Sequence, residues 1–434
     1  MMEKIFVRTG KAGTFMKKYA GIIALLLAVA MLFGACSATT GDDDILAKVG
    51  DREISLSDFN MFSDFYLSLY GIDTSDTSED TQSTLKFIQA SLLYSLINNE
   101  VAIVQAEKEG LTLSDEEKAE VEEYVEQTME EGRTTFESQA KEENPDATES
   151  EIDLLVTTMM TENGYIEESI RQSQTESALL NKIYASATEG VSISDDELQK
   201  GYDEKVASAK ETYDADPASY ENEATEAYST IYYVPQEARR VQQILIGISD
   251  EDQAQIDELT ADGKTEEADA LLQEALAKIK GDAESVLGQI SDDGSNFEDL
   301  MKEHSDDTSY EQYTAGYYVV DSEDSMYESN FKDAAFDLKN VGDVSGLVPT
   351  DYGYHILRLE EIIPAGAIPL DSVKAELTEE LLASKQETTF IQMIEEWKKD
   401  INIELHLDLI DMTQEEYDSI VSGEDTASED DASE

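Results

Sequence analysis

The helical periodicity of this chain breaks once in its interior, and that break limits the folds open to it. From Ser57 to about residue 230 the chain reads as mostly helical, with apolar residues recurring at three- and four-residue spacings. The stretch "IYYVPQEARRVQQILIGI" (231–248) is instead rich in β-branched and aromatic residues and reads as a strand. Two more strands follow in "VGDVSGLVPTDYGYHILRLEEI" (341–362), separated by Thr350-Asp351-Tyr352-Gly353. Beyond Pro364 the helical pattern returns from about Leu370 to Lys399, carried by Val373, Leu377, Leu381, Phe390, Ile394 and Trp397. Neither flanking segment can bury its apolar stripe alone, so the two are expected to pack together. The fold class predicted is α+β: a small antiparallel-sheet domain flanked by a mostly helical lobe built from N- and C-terminal segments. A chain of 434 residues is long enough to build more than one core.

The helical part carries its own punctuation. Ile45, Ala47 and Val49 alternate, Gly50-Asp51 turns, and Ile54 and Leu56 resume, which predicts a hairpin. Ser57 is placed to cap a following helix that carries Phe59, Phe62, Phe65, Tyr66 and Leu69. A long amphipathic helix is expected from about Gln82 to Glu109, stopped by Gly110. "GLTLSDEE" (110–117) and "GVSISDDE" (190–197) each contain a Ser-x-x-Glu capping box that announces another helix. Nothing in 45–230 arranges His, Cys or Ser for nucleophilic or metal chemistry. An acidic insertion begins at Ser249 and extends to about Lys264, with limits that fall somewhere within 249–278. The tail from 411 is acidic and is expected to be disordered, and from Gly423 it lacks any apolar periodicity.

Charge and the N-terminus bear on where such a protein works. With 30 basic against 98 acidic residues the net charge is −68, a surface that phosphate backbones repel, so nucleic acid is excluded as a partner. Self-repulsion on this scale favours solubility and opposes compaction, which suits a multi-lobed molecule. Lys4, Arg8, Lys11, Lys17 and Lys18 precede the uncharged run "YAGIIALLLAVAMLFGA" (19–35), the pattern of a secretory signal. Cys36, the single cysteine, follows directly, as in a bacterial lipobox where signal peptidase cuts before a cysteine that then carries lipid. The other readings are an uncleaved membrane anchor, since the run is just long enough to span a bilayer, and an incidental cysteine. Removing residues 1–35 takes away five basic residues and one acidic one, leaving 25 basic, 97 acidic and a charge near −72. With no second cysteine there is no disulfide, and packing alone must hold the fold.

The order strand, helices, strand, strand over 236–363 resembles a parvulin-type peptidyl-prolyl isomerase domain, set in the architecture of secreted foldase lipoproteins of the PrsA and SurA type. "RRVQQILIGI" matches the opening strand, and "NFEDLMKEHSDD" resembles the family's Phe-x-x-Leu-x-x-x-x-Ser-x-Asp helix and loop. "AGYYVV" stands at the Leu-Gly-aromatic strand, and "NFKDAAFDLKNVGDVSGLVPTDYGYHILRLEE" runs through the last helix, turn and strand. The opening hairpin and "INNEVAIVQAEKEGLTLSDEE" resemble the helical chaperone module of the same proteins. The resemblance divides the chain into a signal peptide (1–35), a tether (36–44), a chaperone segment (45–235), an isomerase domain (236–363) and a C-terminal helix and strand returning to the N-terminal lobe (364–410). The acidic tail (411–434) completes it.

The resemblance implies a reaction without covalent chemistry, metal or cofactor. His355 falls on the second of two central histidines of the family, and Asp307 near the carbonyl that rotates. Where the first histidine is expected the chain has Gln243, an amide that can donate and accept but not titrate. Met326, Phe331 and Tyr318 fall where the proline slot is lined. Tyr352 replaces a small hydroxyl residue before Gly353, and the loop before Met326 is extended. The plainer alternative is that His355, Gln243 and Asp307 form a buried polar network that only specifies the fold. His304, in the last turn of a helix, suits the helix dipole and nothing more. The Tyr-rich stretch 213–233 is a further candidate surface for clients. The implied protein is an extracytoplasmic foldase on the outer face of a cytoplasmic membrane, in a cell envelope of the Gram-positive kind. Its clients are unfolded exported chains with X-Pro bonds, and a homodimer remains open. A holdase without isomerase activity keeps the same fold. A solute-binding lipoprotein would require two parallel-sheet lobes, which the sparse strands do not supply.

Overall fold

The computed structural model describes residues 44–423 except 73, 227–229, 292, 312 and 314. Residues 1–43, with the expected signal and Cys36, and 424–434 lie outside the described residues. Two compact units emerge, one from residues up to Val191 together with Lys385 onward, the other from Ser192–Ser384.

In the first unit β1 (Ile45–Val49) and β2 (Arg52–Ser55) form the hairpin expected from their alternation. The helix α1 (Leu56–Leu69) begins at once, capped by Ser55 rather than Ser57 because β2 runs into it without a linker. Then come α2 (Glu79–Lys108), α3 (Asp115–Glu143), α4 (Glu149–Glu162) and α5 (Glu167–Ala187). Both Ser114 and Glu117 close a reciprocal capping box on α3, a local arrangement worth about 1 kcal/mol. The core is built on α2, whose Ile88, Leu92, Leu93 and Val101 are fully buried or nearly so. That helix is long and apolar enough to cross a membrane, but most of its apolar stretch is buried inside the protein.

The second unit opens with α6 (Asp195–Ala215), α7 (Pro217–Thr225) and the short β3 (Tyr233–Val234). Next come β4 (Ala238–Gly247), α8 (Asp250–Ala261), α9 (Thr265–Leu287) and α10 (Phe297–His304). The acidic insertion is thus a helix, α8, with Ser249 as its cap. After them run β5 (Tyr317–Val320), α11 (Ser329–Asp337), β6 (Val348–Thr350), β7 (Gly353–Ile363) and β8 (Gly366–Ala367). Four strands make an antiparallel sheet in the order β5-β4-β7-β6. Its two faces are covered differently. Val241, Leu357 and Leu359 pack with Phe331 and Ala335 of α11, while Ile244, Ile246 and Ile356 pack with α9 and α10. Gly353 has φ +144°, and a Cβ there would lie 2.2 Å from the Ile246 carbonyl, so only glycine lets β7 start this close to β4. Arg239 lies over the Phe336 ring and Arg240 pairs with Glu361, which gives the rare basic pair a structural role.

The chain leaves this unit along α12 (Leu370–Lys398). Its first half buries Val373 and Leu377 against Leu198 and Tyr232 of the second unit, and its second half buries Phe390 and Ile394 in the first-unit core. The expected boundaries at 235 and 364 therefore cut through the second unit, because α6, α7 and the start of α12 share its packing. A last strand, β9 (Ile403–Leu405), pairs antiparallel with β1. The acidic tail needs correcting: α13 (Gln414–Ser422) is a helix with a Thr413/Glu416 capping box, and Tyr417 is buried in the first-unit core. One aromatic anchor and a cap suffice where the sequence offers little periodicity. Tyr213, Tyr220 and Tyr232, candidates for a client surface, are buried.

Candidate functional site

Antiparallel register brings the central pair together. In the β4–β7 ladder Gln243 lies opposite Leu357 and His355 opposite Leu245, so the two polar side chains are diagonal neighbours on the α11-covered face. His355 Nδ1 lies 2.5 Å from Gln243 Oε1, and Gln243 Nε2 donates to Asp307 Oδ2 at 2.6 Å. The loop after α10 is tied to β4, since Asp306 N donates to the Leu245 carbonyl (2.8 Å) and Gly247 N to Asp306 Oδ2 (2.8 Å). Asp307 accepts further hydrogen bonds from Ser309 N (2.9 Å) and the Tyr317 phenol. On the far side, Thr350 Oγ1 sits 2.7 Å from His355 Nε2.

The directions along this row follow from Asp307. A carboxylate only accepts, so the amide turns its Nε2 toward it and leaves Oε1 for the imidazole. His355 then carries its proton on Nδ1, and Thr350 donates to Nε2. Burial disfavours the imidazolium, with Asp307 opposing, and the His355 pKa falls to about 4. Burial also works against the Asp307 carboxylate. The hydrogen bonds from Tyr317, Ser309 and Gln243 outweigh it and hold Asp307 below its ordinary value. At neutral pH the row is a neutral imidazole, a neutral amide and an anion, with every polar contact satisfied.

Beside it lies an aromatic wall. Phe331 meets the His355 ring edge-on at 5.2 Å between centroids, and Tyr327 stacks on Phe331 at 5.1 Å. Tyr317 continues the series edge-on to Tyr327. Met326 is 53% exposed at the rim of this wall, whereas Phe331 is only 4% exposed. The expected role of Tyr318 needs correcting. Successive strand residues point to opposite faces, and Tyr318 packs with Tyr213, Tyr220 and Val320 away from the His355 row. Its neighbour Tyr317 faces the row instead. Sequence reading missed Tyr317, Thr350 and Glu221, a fully buried carboxylate on α7 that binds the loop before Met326. The run "YYVV" is apolar or aromatic throughout, so it gives no phase. Thr350 was legible only as the hydroxyl that Tyr352 does not provide, and Glu221 left no signal.

A four-stranded antiparallel sheet with helices on both faces thus carries a hydrogen-bonded row of one anion and neutral groups beside an aromatic wall. The PPIC-type PPIase domain family matches residues 262–361, and the SurA-like N-terminal domain family matches residues 1–183. The first match begins after β4, which α8 separates from the rest, so Gln243 lies outside it. Foldase protein PrsA of Clostridium acetobutylicum is 23% identical over 377 residues, covering 87% of each chain. Foldase protein PrsA of Clostridium botulinum is 28% identical over 223 residues, covering 47% of this chain and 63% of that one, so the match spans less than two thirds of its length. The crystal structure of PrsA from Bacillus subtilis matches 86% of this chain and all of its own at 17% identity, with a TM-score of 0.22. The chain therefore joins a PPIC-type PPIase domain to a SurA-like N-terminal domain, and it is similar to proteins named foldase protein PrsA.

Proposed function

We propose that this chain is a membrane-tethered, extracytoplasmic foldase that accelerates X-Pro isomerisation in exported polypeptides at the row Asp307–Gln243–His355. The single observation that carries the reading is that Gln243 bridges His355 and Asp307 with its two ends, as a donor-acceptor ring would. Rotation about the peptide bond faces a barrier of about 18–20 kcal/mol because resonance places negative charge on the carbonyl oxygen. A fixed carboxylate near that oxygen disfavours the charge-separated, planar form, and a wall that grips the proline ring excludes water. Phe331 and Met326 supply the grip, Asp307 the field, and Gln243, His355 and Thr350 hold Asp307 and the wall in place. No proton need move. The tether would be Cys36, supported by the basic start and apolar run before it.

The test is isomerisation of a proline tetrapeptide by the full mature chain. Gln243→Ala is expected to lower kcat/KM by about tenfold or more. Gln243→His is expected to stay within about threefold of the wild type, since an imidazole can likewise accept on one side and donate on the other. A wild-type rate equal to the uncatalysed one defeats the isomerase reading. The burial of Phe331 beneath Tyr327 favours a second reading, a holdase. Suppressed client aggregation without acceleration selects it. Loss of membrane association in a Cys36→Ala variant, read by fractionation, tests the anchor.

A further inference from the structure

Among the described residues of the second unit, the most deeply buried acid lies outside the site and outside the segment that matches the isomerase family. Glu221 on α7 is 0% exposed. Its two oxygens serve the far edge of the sheet and the loop beyond it. Oε1 accepts from Val320 N at 2.8 Å, the last residue of β5. Oε2 accepts from Met326 N at 2.7 Å. The Ser325 hydroxyl donates between them, at 2.8 and 3.1 Å. Four residues away, Thr225 Oγ1 accepts from Tyr318 N at 3.3 Å, so α7 takes the place of a further strand along β5. From the other side Lys332 Nζ donates to the Ser322 carbonyl at 3.1 Å. The loop that leads from β5 to the aromatic wall is therefore closed at both ends on one carboxylate.

Burying an acid this completely is unfavourable unless its hydrogen bonds compensate. Burial raises the Glu221 pKa, against the donors from Val320, Met326 and Ser325. A loop fastened only for stability would not require a charge at this depth, because serine, asparagine or water can close a loop. What the carboxylate fixes is position: Met326 at the rim, with Tyr327 next to it and Phe331 four residues further on.

We propose that Glu221 is a positioning residue of the isomerase site, setting the width of the proline slot by holding Val320 and Met326 at a fixed separation. This rests on the isomerase reading above. It also makes α7, from the chaperone side of the chain, part of the catalytic unit.

The test uses the full mature chain and three variants. In Glu221→Gln the shape is kept, but the amide can accept at one end only and turns a donor toward the other. Glu221→Ala removes both ends, and Ser325→Ala removes the central donor alone. The expected result for Glu221→Gln is a rise in KM for a proline tetrapeptide of about tenfold with kcat changed less than threefold. Ser325→Ala should show a smaller rise, and the Met326 amide should exchange with solvent faster in both Glu221 variants. A purely structural role predicts instead an unchanged KM with amplitude lost in proportion to unfolded protein, and that outcome overturns the proposal. Should Glu221→Ala not fold, Glu221→Gln and Ser325→Ala still decide. If the wild type binds the tetrapeptide without accelerating it, the dissociation constant replaces KM, and unchanged binding in Glu221→Gln overturns the proposal independently of the isomerase reading. If the wild type neither binds nor accelerates, both readings fall.

Discussion

Each unit of this protein buries a polar network, and the two are built on opposite terms. In the first unit Arg52 of β2 reaches Glu100 of α2 and Glu176 of α5, with Glu107 at 3.6 Å, so one guanidinium joins a strand and two helices. Both Glu100 and Glu176 are nearly inaccessible. In the second unit the row from Thr350 to Asp307 contains one charge, and the rest is neutral. The ion cluster joins a strand to two helices, and its Glu107 edge is open to solvent. The row of the second unit lies along the aromatic wall of Phe331, Tyr327 and Tyr317. One guanidinium shared among carboxylates specifies which elements meet, whereas a row with a single anion among neutral groups can act on a substrate dipole without costly reorganisation. Burial of polar groups is thus common to both units, and what lies next to them separates structure from function.

The largest effect that sharpens this contrast is expected from Arg52→Met. It removes the positive charge from between two buried carboxylates and should cost about 3–5 kcal/mol of first-unit stability, read by denaturant melting, with the isomerisation rate of folded protein unchanged. A fall in that rate would erase the distinction drawn here. Next comes pH. His355 has an ordinary pKa of 6.5 and about 4 when folded, so between these values the unfolded chain binds the extra proton. Stability therefore rises with pH through that window and is lost as pH falls from 6.5 toward 4, by about 3 kcal/mol in all. The difference in urea midpoint between wild type and His355→Gln, followed from pH 7 to 4, should shrink accordingly. A constant difference would mean the ring is not held neutral. The smallest effect is expected from Tyr317→Phe, which deletes one donor to Asp307. It should raise the Asp307 pKa and cost about 1–2 kcal/mol, seen by carboxyl NMR titration beside melting.

How much of this was legible in the chain differs by element. The hairpin at 45–55 and the capping boxes at Ser114 and Ser194 are local: a few neighbouring residues decide them, and the structure has them where the sequence places them. The "GYHILRLEE" run sets β7 by alternation and by Gly353, and the resemblance put Gln243, Asp307 and His355 within reach of each other; the register brings Gln243 to His355, and the loop after α10 brings Asp307 to Gln243. The phase of β5 was not legible, because Tyr317 and Tyr318 are the same residue and only the packing of α7 and α11 on opposite faces tells them apart. The helix at 414–422 was hidden by its acidity, since its stability comes from Tyr417 meeting a core far away in sequence.

The amino-acid sequence by itself determined the class of fold, the order of helices and strands, the acidic surface and the identity of the three polar residues in the row. All of these rest on short-range propensity, on alternation or on a resemblance carried by contiguous motifs. Only the tertiary structure decided which tyrosine faces His355, that Thr350 completes the row, that the C-terminal strand joins β1, and that Glu221 fastens the loop at Met326. Each of these is a contact between segments far apart along the chain or on opposite faces of one strand. The energy of such a contact depends on relative position, which no local pattern encodes.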